Sequence, residues 1–187
     1  MSEKENNNHF CPVEHAGILD QWWRKLLQNP HKILKNYIKD GMSVLDIGCG
    51  PGFFTIPAAN LVGKKGKVVA ADFQEGMLEI VKKKIQGTEF ESKIILHKCE
   101  SNSTGLKEKF DFILAFYVVH ETPNPENFLK EMSSLLKSGG KLLIVEPSFH
   151  VKMKEFLSTI SLAEKAGLTV VLQPKMFFSR AVLLELN

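Results

Sequence analysis

Apolar positions along this chain alternate between two rhythms. Short apolar runs have the length of strands: "SVLDIG" (43–48), "GKVVAADF" (66–73), "KIILHK" (93–98) and "FDFILAFYVV" (110–119). "KLLIVEPS" (141–148), "LTVVLQPKM" (168–176) and "SRAVLLEL" (179–186) are of the same kind. Between them, apolar residues return at helical spacing. This predicts helices over Gly52–Leu61, over 75–86 with Met77, Leu78, Val81 and Ile85 inward, over 124–140 closed by a glycine pair, and over 151–167 stopped at Gly167. Before the first strand, Ile18, Leu19, Trp22, Trp23, Leu26 and Leu27 form one helical stripe. Pro30 interrupts it, and Ile33, Leu34, Tyr37 and Ile38 form a second, shorter one.

Strands alternating with helices imply a mostly parallel sheet covered on both faces. The run "FDFILAFYVV" agrees, since a strand buried on both faces has no reason to alternate in polarity. The last two strands are separated only by 174–178, too few residues for a helical crossover, so they should pair antiparallel. With 187 residues and 44% hydrophobic composition, the chain fits one domain with a core of its own. The expected division is a disordered arm at 1–12 and a single domain at 13–187, with helices over 13–40 and the core over 41–187. No apolar run has the length of a membrane helix, and "MSEKENNNHF" has no signal-peptide character. Three widely spaced cysteines, Cys11, Cys49 and Cys99, suit reduced thiols in the cytoplasm. A net charge of +3 falls short of the clustered basicity of a nucleic-acid binder, and the lysine runs "GKKGK" and "KKK" read as solvated.

The chemistry concentrates in "SVLDIGCGPGFFT". Glycines at 48, 50 and 52 follow the first strand and precede a helix. In an open parallel sheet, ligands bind beyond the carboxyl ends of the strands, so backbone exposed there can lie against a ligand. Asp72 ends the second strand, 20 residues past Gly52, where a carboxylate can take two ribose hydroxyls. A glycine loop and a ribose acid on neighbouring strands point to a nucleoside-containing cofactor. The spacing G-C-G-P-G is not the G-x-G-x-x-G of dinucleotide sites, and no phosphate-loop motif occurs. Asp46, two positions before the first glycine, would repel a pyrophosphate and favour an ammonium or a sulfonium.

"VLDIGCGPGFFT" closely resembles the first motif of the class I S-adenosylmethionine-dependent methyltransferases of the UbiE-like type. "VVAADF" resembles their second motif, "FDFILAFYVVHE" their fourth, and "LLKSGGKLLIVEP" the segment around their fifth strand, in the right order from about Ile33 to the C-terminus. The resemblance implies a Rossmann-like, doubly wound, seven-stranded α/β sheet, mostly parallel with the last strand antiparallel, and an N-terminal helical lid. It implies S-adenosylmethionine as cofactor and S-adenosylhomocysteine as product. Asp46 and the backbone from Gly48 through Cys49 and Gly50 to Gly52 would hold the methionine end, and Asp72 the ribose. Phe73 would lie against the adenine with Met77 beside it, although both suit core packing as well. Either Cys99 or Glu100 would stand near the adenine amino group, and Phe116 and Tyr117 would flank the reacting centre.

His120, beside Glu121 in "HETPNPENF", is a candidate general base, or a loop histidine that shapes the pocket. Tyr117 is the second catalytic candidate. "HFCPVEH" gathers His9, Cys11, Glu14 and His15. Its spacing matches no zinc pattern, and an arm packing over the site accounts for it as well as a metal or metalloid site does, so no metal is expected. One of Trp22 and Trp23 should pack on the sheet, while the other packs likewise or closes the pocket. The expected activity is methyl transfer to a small-molecule acceptor, without nucleic-acid or membrane partners. The alternatives are a protein or RNA methyltransferase working with a partner, and a non-catalytic S-adenosylmethionine-binding regulator.

Overall fold

A computed structural model describes residues 28–100 and 102–187. The arm at 1–12, "HFCPVEH", the helical stripe through Trp22 and Trp23, and with them most of the expected lid lie outside the described residues. The elements run α1 (Pro30–Leu34), β1 (Ser43–Ile47), α2 (Thr55–Leu61), β2 (Lys67–Asp72), α3 (Glu75–Ile85), β3 (Ile94–Lys98) and β4 (Phe110–Phe116). A 3-10 turn (Val119–Glu121) follows, then α4 (Pro125–Leu135), β5 (Leu136–Pro147), α5 (Met153–Lys165), β6 (Leu168–Leu172) and β7 (Ser179–Leu186).

The seven strands form one sheet in the order β3-β2-β1-β4-β5-β7-β6. All neighbours are parallel except β7, which runs antiparallel to both β5 and β6. Strand order reverses between β1 and β4, so the carboxyl ends of these two strands border the crevice where ligands of such sheets bind.

Each strand sends alternate residues to opposite faces, and both faces are covered. Val44, Val68, Ala70, Phe112, Leu114 and Val145 pack with Ala58, Leu78 and Val81 of α2 and α3. Leu45, Val69, Ile113, Leu142 and Ile144 pack with Leu129 and Met132 of α4 and with Phe156 and Ile160 of α5. Helices α1, α4 and α5 start where a side chain accepts a backbone N–H, whereas α2 and α3 have no such cap. Asn29 and Asn124 side chains cap α1 and α4 just before Pro30 and Pro125. At α5 the Glu155 carboxylate accepts the Lys152 N–H at 2.7 Å.

Several element boundaries depart from the sequence reading; the strand read over 168–176 ends at Leu172, and the short helix before the first strand spans Pro30–Leu34. The helix expected from Gly52 begins at Thr55. The fourth strand stops at Phe116 and not at Val119, because Tyr117 takes a left-handed conformation (φ 63°) and turns the chain into the 3-10 turn. The helix expected to end on the glycine pair ends at Leu135. Leu136 is extended, buried and paired with Phe110, and its burial against the sheet outweighs another helical turn. The glycines lie inside β5, in an irregularity where register shifts between Phe110 and Phe112.

Candidate active site

The glycine loop after β1, the ends of β2 and β3, and the segments after β4 and β5 enclose a cavity of about 830 Å³. Its floor is fixed by carboxylates. Asp46 is 2% exposed and accepts the Thr55 hydroxyl at 2.6 Å. Burial, assisted by the nearby charge of Asp72, pushes its pKa up to about 7 against the opposing bond from Thr55. Asp72 accepts the Gly50 N–H and the Gln74 N–H, each at 2.9 Å. Burial raises its pKa too, and these N–H groups oppose the rise. The backbone N–H groups of Gly48 and Cys49 both donate to Ala71, so the loop is tied to the end of β2.

The glycines have different work. A Cβ on Gly48 would meet Val118 at 2.5 Å, so the loop and the segment after β4 can touch only because that atom is missing. Gly50 (φ 52°) has nothing within 4 Å of its missing Cβ and lines the cavity. Gly52 does not line the cavity; its backbone packs on Val81 of α3.

The other candidates from the sequence meet around this cavity: Cys49, Phe73, Met77, Cys99, Glu100, Phe116, Tyr117 and His120 all line it. Met77 is buried and Phe73 half-exposed. Burial drives both thiols upward, Cys49 well beyond the ordinary range and Cys99 to about 12, so both are neutral near pH 7. The Phe116 ring sits between Phe54 and Tyr117, at 4.3 and 4.5 Å between centroids. The Tyr117 hydroxyl is shared with Gln28 Nε2 and Ser179 Oγ, each at 2.7 Å.

Sequence reasoning missed three side chains. Glu146, 1% exposed at the end of β5, accepts the Val119 N–H at 3.0 Å through Oε1 and pairs with His120 Nδ1 through Oε2. Glu131 of α4 lines the cavity and takes both the N–H and the hydroxyl of Thr104 on one oxygen. Thr55 holds Asp46. The available signal was Glu146 itself, an acid closing the apolar run "LLIVE", since fully buried glutamates are rare unless paired.

A mostly parallel, doubly wound sheet with one antiparallel strand, a ligand crevice at its strand-order reversal and two acids beside a glycine loop define a nucleoside-cofactor enzyme fold. The methyltransferase-domain family matches residues 38–173, and the chain belongs to it as a class I S-adenosylmethionine-dependent methyltransferase. A demethylmenaquinone methyltransferase of Bacillus cereus (strain AH187) is 33% identical over 111 residues, which are 59% of this chain and 47% of the relative. The chain thus spans about half the length of the curated relatives it matches. A SAM-dependent methyltransferase from Aquifex aeolicus superposes with a TM-score of 0.85 at 28% identity, covering 95% of this chain and all of that one. The [4+2]-cyclase SpnF shares the fold alone, with a TM-score of 0.70 at 14% identity over 84% of this chain and 63% of its own.

The cofactor is S-adenosylmethionine, and the site fits it. Gly50 leaves open backbone at the cavity wall. Asp72 takes the backbone N–H groups of Gly50, Gln74 and Phe73, and a carboxylate with about four lone-pair sites still has room for a ribose hydroxyl. Asp46, held near neutrality by burial, regains its charge beside a cation.

Proposed function

We propose that the protein transfers a methyl group from S-adenosylmethionine to a small-molecule acceptor. The observation that carries this reading is that the cofactor floor and the His120–Glu146 pair line or adjoin one cavity. Its volume, about 830 Å³, is in the range of small-molecule sites, roughly 300–1,000 Å³. The demethylmenaquinone methyltransferase relative supports a small acceptor over a macromolecular one. Among the described residues, no helix is long and apolar enough to cross a membrane.

When bound, the cofactor supplies an electrophilic methyl with a neutral leaving group. The protein's contribution is positioning and exclusion of water. Asp72 binds and orients the nucleoside, and Asp46 with the Gly48–Gly50 backbone holds the cationic methionine end. Phe54, Phe116 and Tyr117 wall the acceptor side and keep it dry. His120 lines the same cavity and can take a proton.

Calorimetry with S-adenosylhomocysteine, followed by labelled S-adenosylmethionine with thiol, phenol, amine and arsenite acceptors, tests the reading. The wild type should bind and transfer, and Asp72→Ala should lose about tenfold or more in affinity because it removes charged hydrogen-bond acceptors. Binding without transfer to any small acceptor would favour a non-catalytic role. Unchanged affinity in Asp72→Ala would overturn the ribose assignment.

A further inference from the structure

Glu146 sits where a carboxylate is costly. It is 1% exposed, in a strand whose preceding residues Leu142, Leu143, Ile144 and Val145 are all buried and apolar. Burying a charged group is tolerable only when it is fully bonded. One oxygen is satisfied by the Val119 N–H, which pins the start of the 3-10 turn, and the other is turned to Nδ1 of His120. A carboxylate only accepts, so Nδ1 carries the hydrogen and the neutral ring has its lone pair on Nε2. Nε2 faces another carboxylate and not a donor: Glu121 Oε1 lies 3.9 Å away, beyond hydrogen-bond distance. Here one edge is fixed from below, while the residue lines the cavity together with Glu121 and His150.

We infer that Glu146 is a positioning residue that holds His120 with Nε2 as a proton acceptor facing the cavity, and that the acceptor substrate is therefore a protic nucleophile, a hydroxyl or thiol that loses its hydrogen during methyl transfer. This rests on the methyl-transfer reading above and narrows its substrate class. The step balances. His120 Nε2 takes the proton from the acceptor O–H or S–H, whose electron pair forms the new bond to carbon as the methyl–sulfur bond breaks, its electrons remaining on sulfur.

The surrounding charges suit that task. The groups facing His120 are Glu146 from β5, Glu121 from its own turn and the His150 ring, 5.1 Å away between centroids. Burial alone would lower the His120 pKa, but the bond to Glu146 and the two carboxylate charges raise it on balance. Glu121 is pushed up to about 7, chiefly by burial and also by Glu146 and Asp72, against the opposing charge of His120. His150, whose ring stands beside that of His120, is exposed.

The experiment uses the full chain labelled with ¹⁵N-histidine. Long-range proton–nitrogen spectra report the His120 tautomer and its titration without any acceptor present. In the wild type, neutral His120 should carry its hydrogen on Nδ1. Glu146→Gln should move it toward Nε2 and lower its titration midpoint by about 1–3 pH units, as expected when an opposite charge is removed. Glu146→Asp should bring the midpoint back toward the wild-type value. In parallel, labelled S-adenosylmethionine is offered with 2-mercaptoethanol, 4-methoxyphenol or dimethyl sulfide, the last having no proton to lose. Transfer should favour the thiol or the phenol and fall by about 10²–10⁴ in His120→Gln. Its acid limb should shift to lower pH in Glu146→Gln. A wild-type His120 with its hydrogen on Nε2, a midpoint unmoved by Glu146→Gln, or transfer confined to dimethyl sulfide would each overturn the inference. Failure of the wild type to bind S-adenosylhomocysteine would instead sink the methyl-transfer reading, leaving the tautomer result intact.

Discussion

At the scale of single residues, Gly48 and Gly50 look alike in sequence and differ in what surrounds them. A side chain at Gly48 collides with Val118, whereas one at Gly50 meets only the cavity. Gly50→Ala should therefore fold, with a loss of about 1–2 kcal/mol from its left-handed conformation, and still bind S-adenosylhomocysteine more weakly because a methyl occupies ligand space. Thermal unfolding beside calorimetry separates the two effects. The site's acids were legible to different degrees. Asp46 and Asp72 could be placed because each stands at a fixed offset from the glycines. Glu146 could not, because its partner His120 is 26 positions away in the chain and only the adjacency of β4 and β5 brings them together. The committed hydrogen bonds of the Tyr117 hydroxyl were hidden for the same reason: Gln28 and Ser179 are 89 and 62 positions distant.

At the scale of elements, the alternation of apolar runs identified every described strand, because period-2 and period-3.6 patterns follow from backbone geometry alone. Ends were less legible. "SSLLKSGG" has the composition of a helix terminus, and local rules close it on glycine. Long-range pairing of Leu136 with Phe110 overrides them. Gly140 then serves close approach rather than capping: a Cβ there would lie 2.8 Å from the Lys137 carbonyl and 3.0 Å from that of Phe110. Both neighbours are backbone and cannot swing aside. Gly140→Ala should lose about 1–3 kcal/mol, as overpacked sites do, visible as a lowered urea midpoint. A midpoint equal to that of the wild type would mean that the backbone shifts to make room and that close approach does not require glycine there.

At the scale of the whole molecule, buried acids around the cavity couple stability to pH. Asp46, Asp72 and Glu121 all titrate above their ordinary values, Asp46 and Glu121 at about 7. A raised pKa means that the folded protein binds more protons than the unfolded chain between the two values. Stability contributed this way is full below the unfolded pKa and is lost as pH rises through the folded one. His120, also raised, acts in the same direction at the upper end of the window. The ligand-free protein should thus lose stability, on the order of a few kcal/mol, as pH rises from about 4 through neutrality. Asp46→Asn should flatten part of that slope in urea titrations taken at several pH values. A slope identical in Asp46→Asn would mean that Asp46 is already ionised in the fold.

The sequence by itself determined the class of fold, the glycine loop and the two acids beside it, because each is encoded within one strand, turn and helix start. The tertiary structure alone decided which glycine opens on the cavity and which faces Val118 or Val81, and that Glu146 stands behind His120. Those facts belong to neighbouring strands far apart in the chain, and no local pattern carries a distance between them.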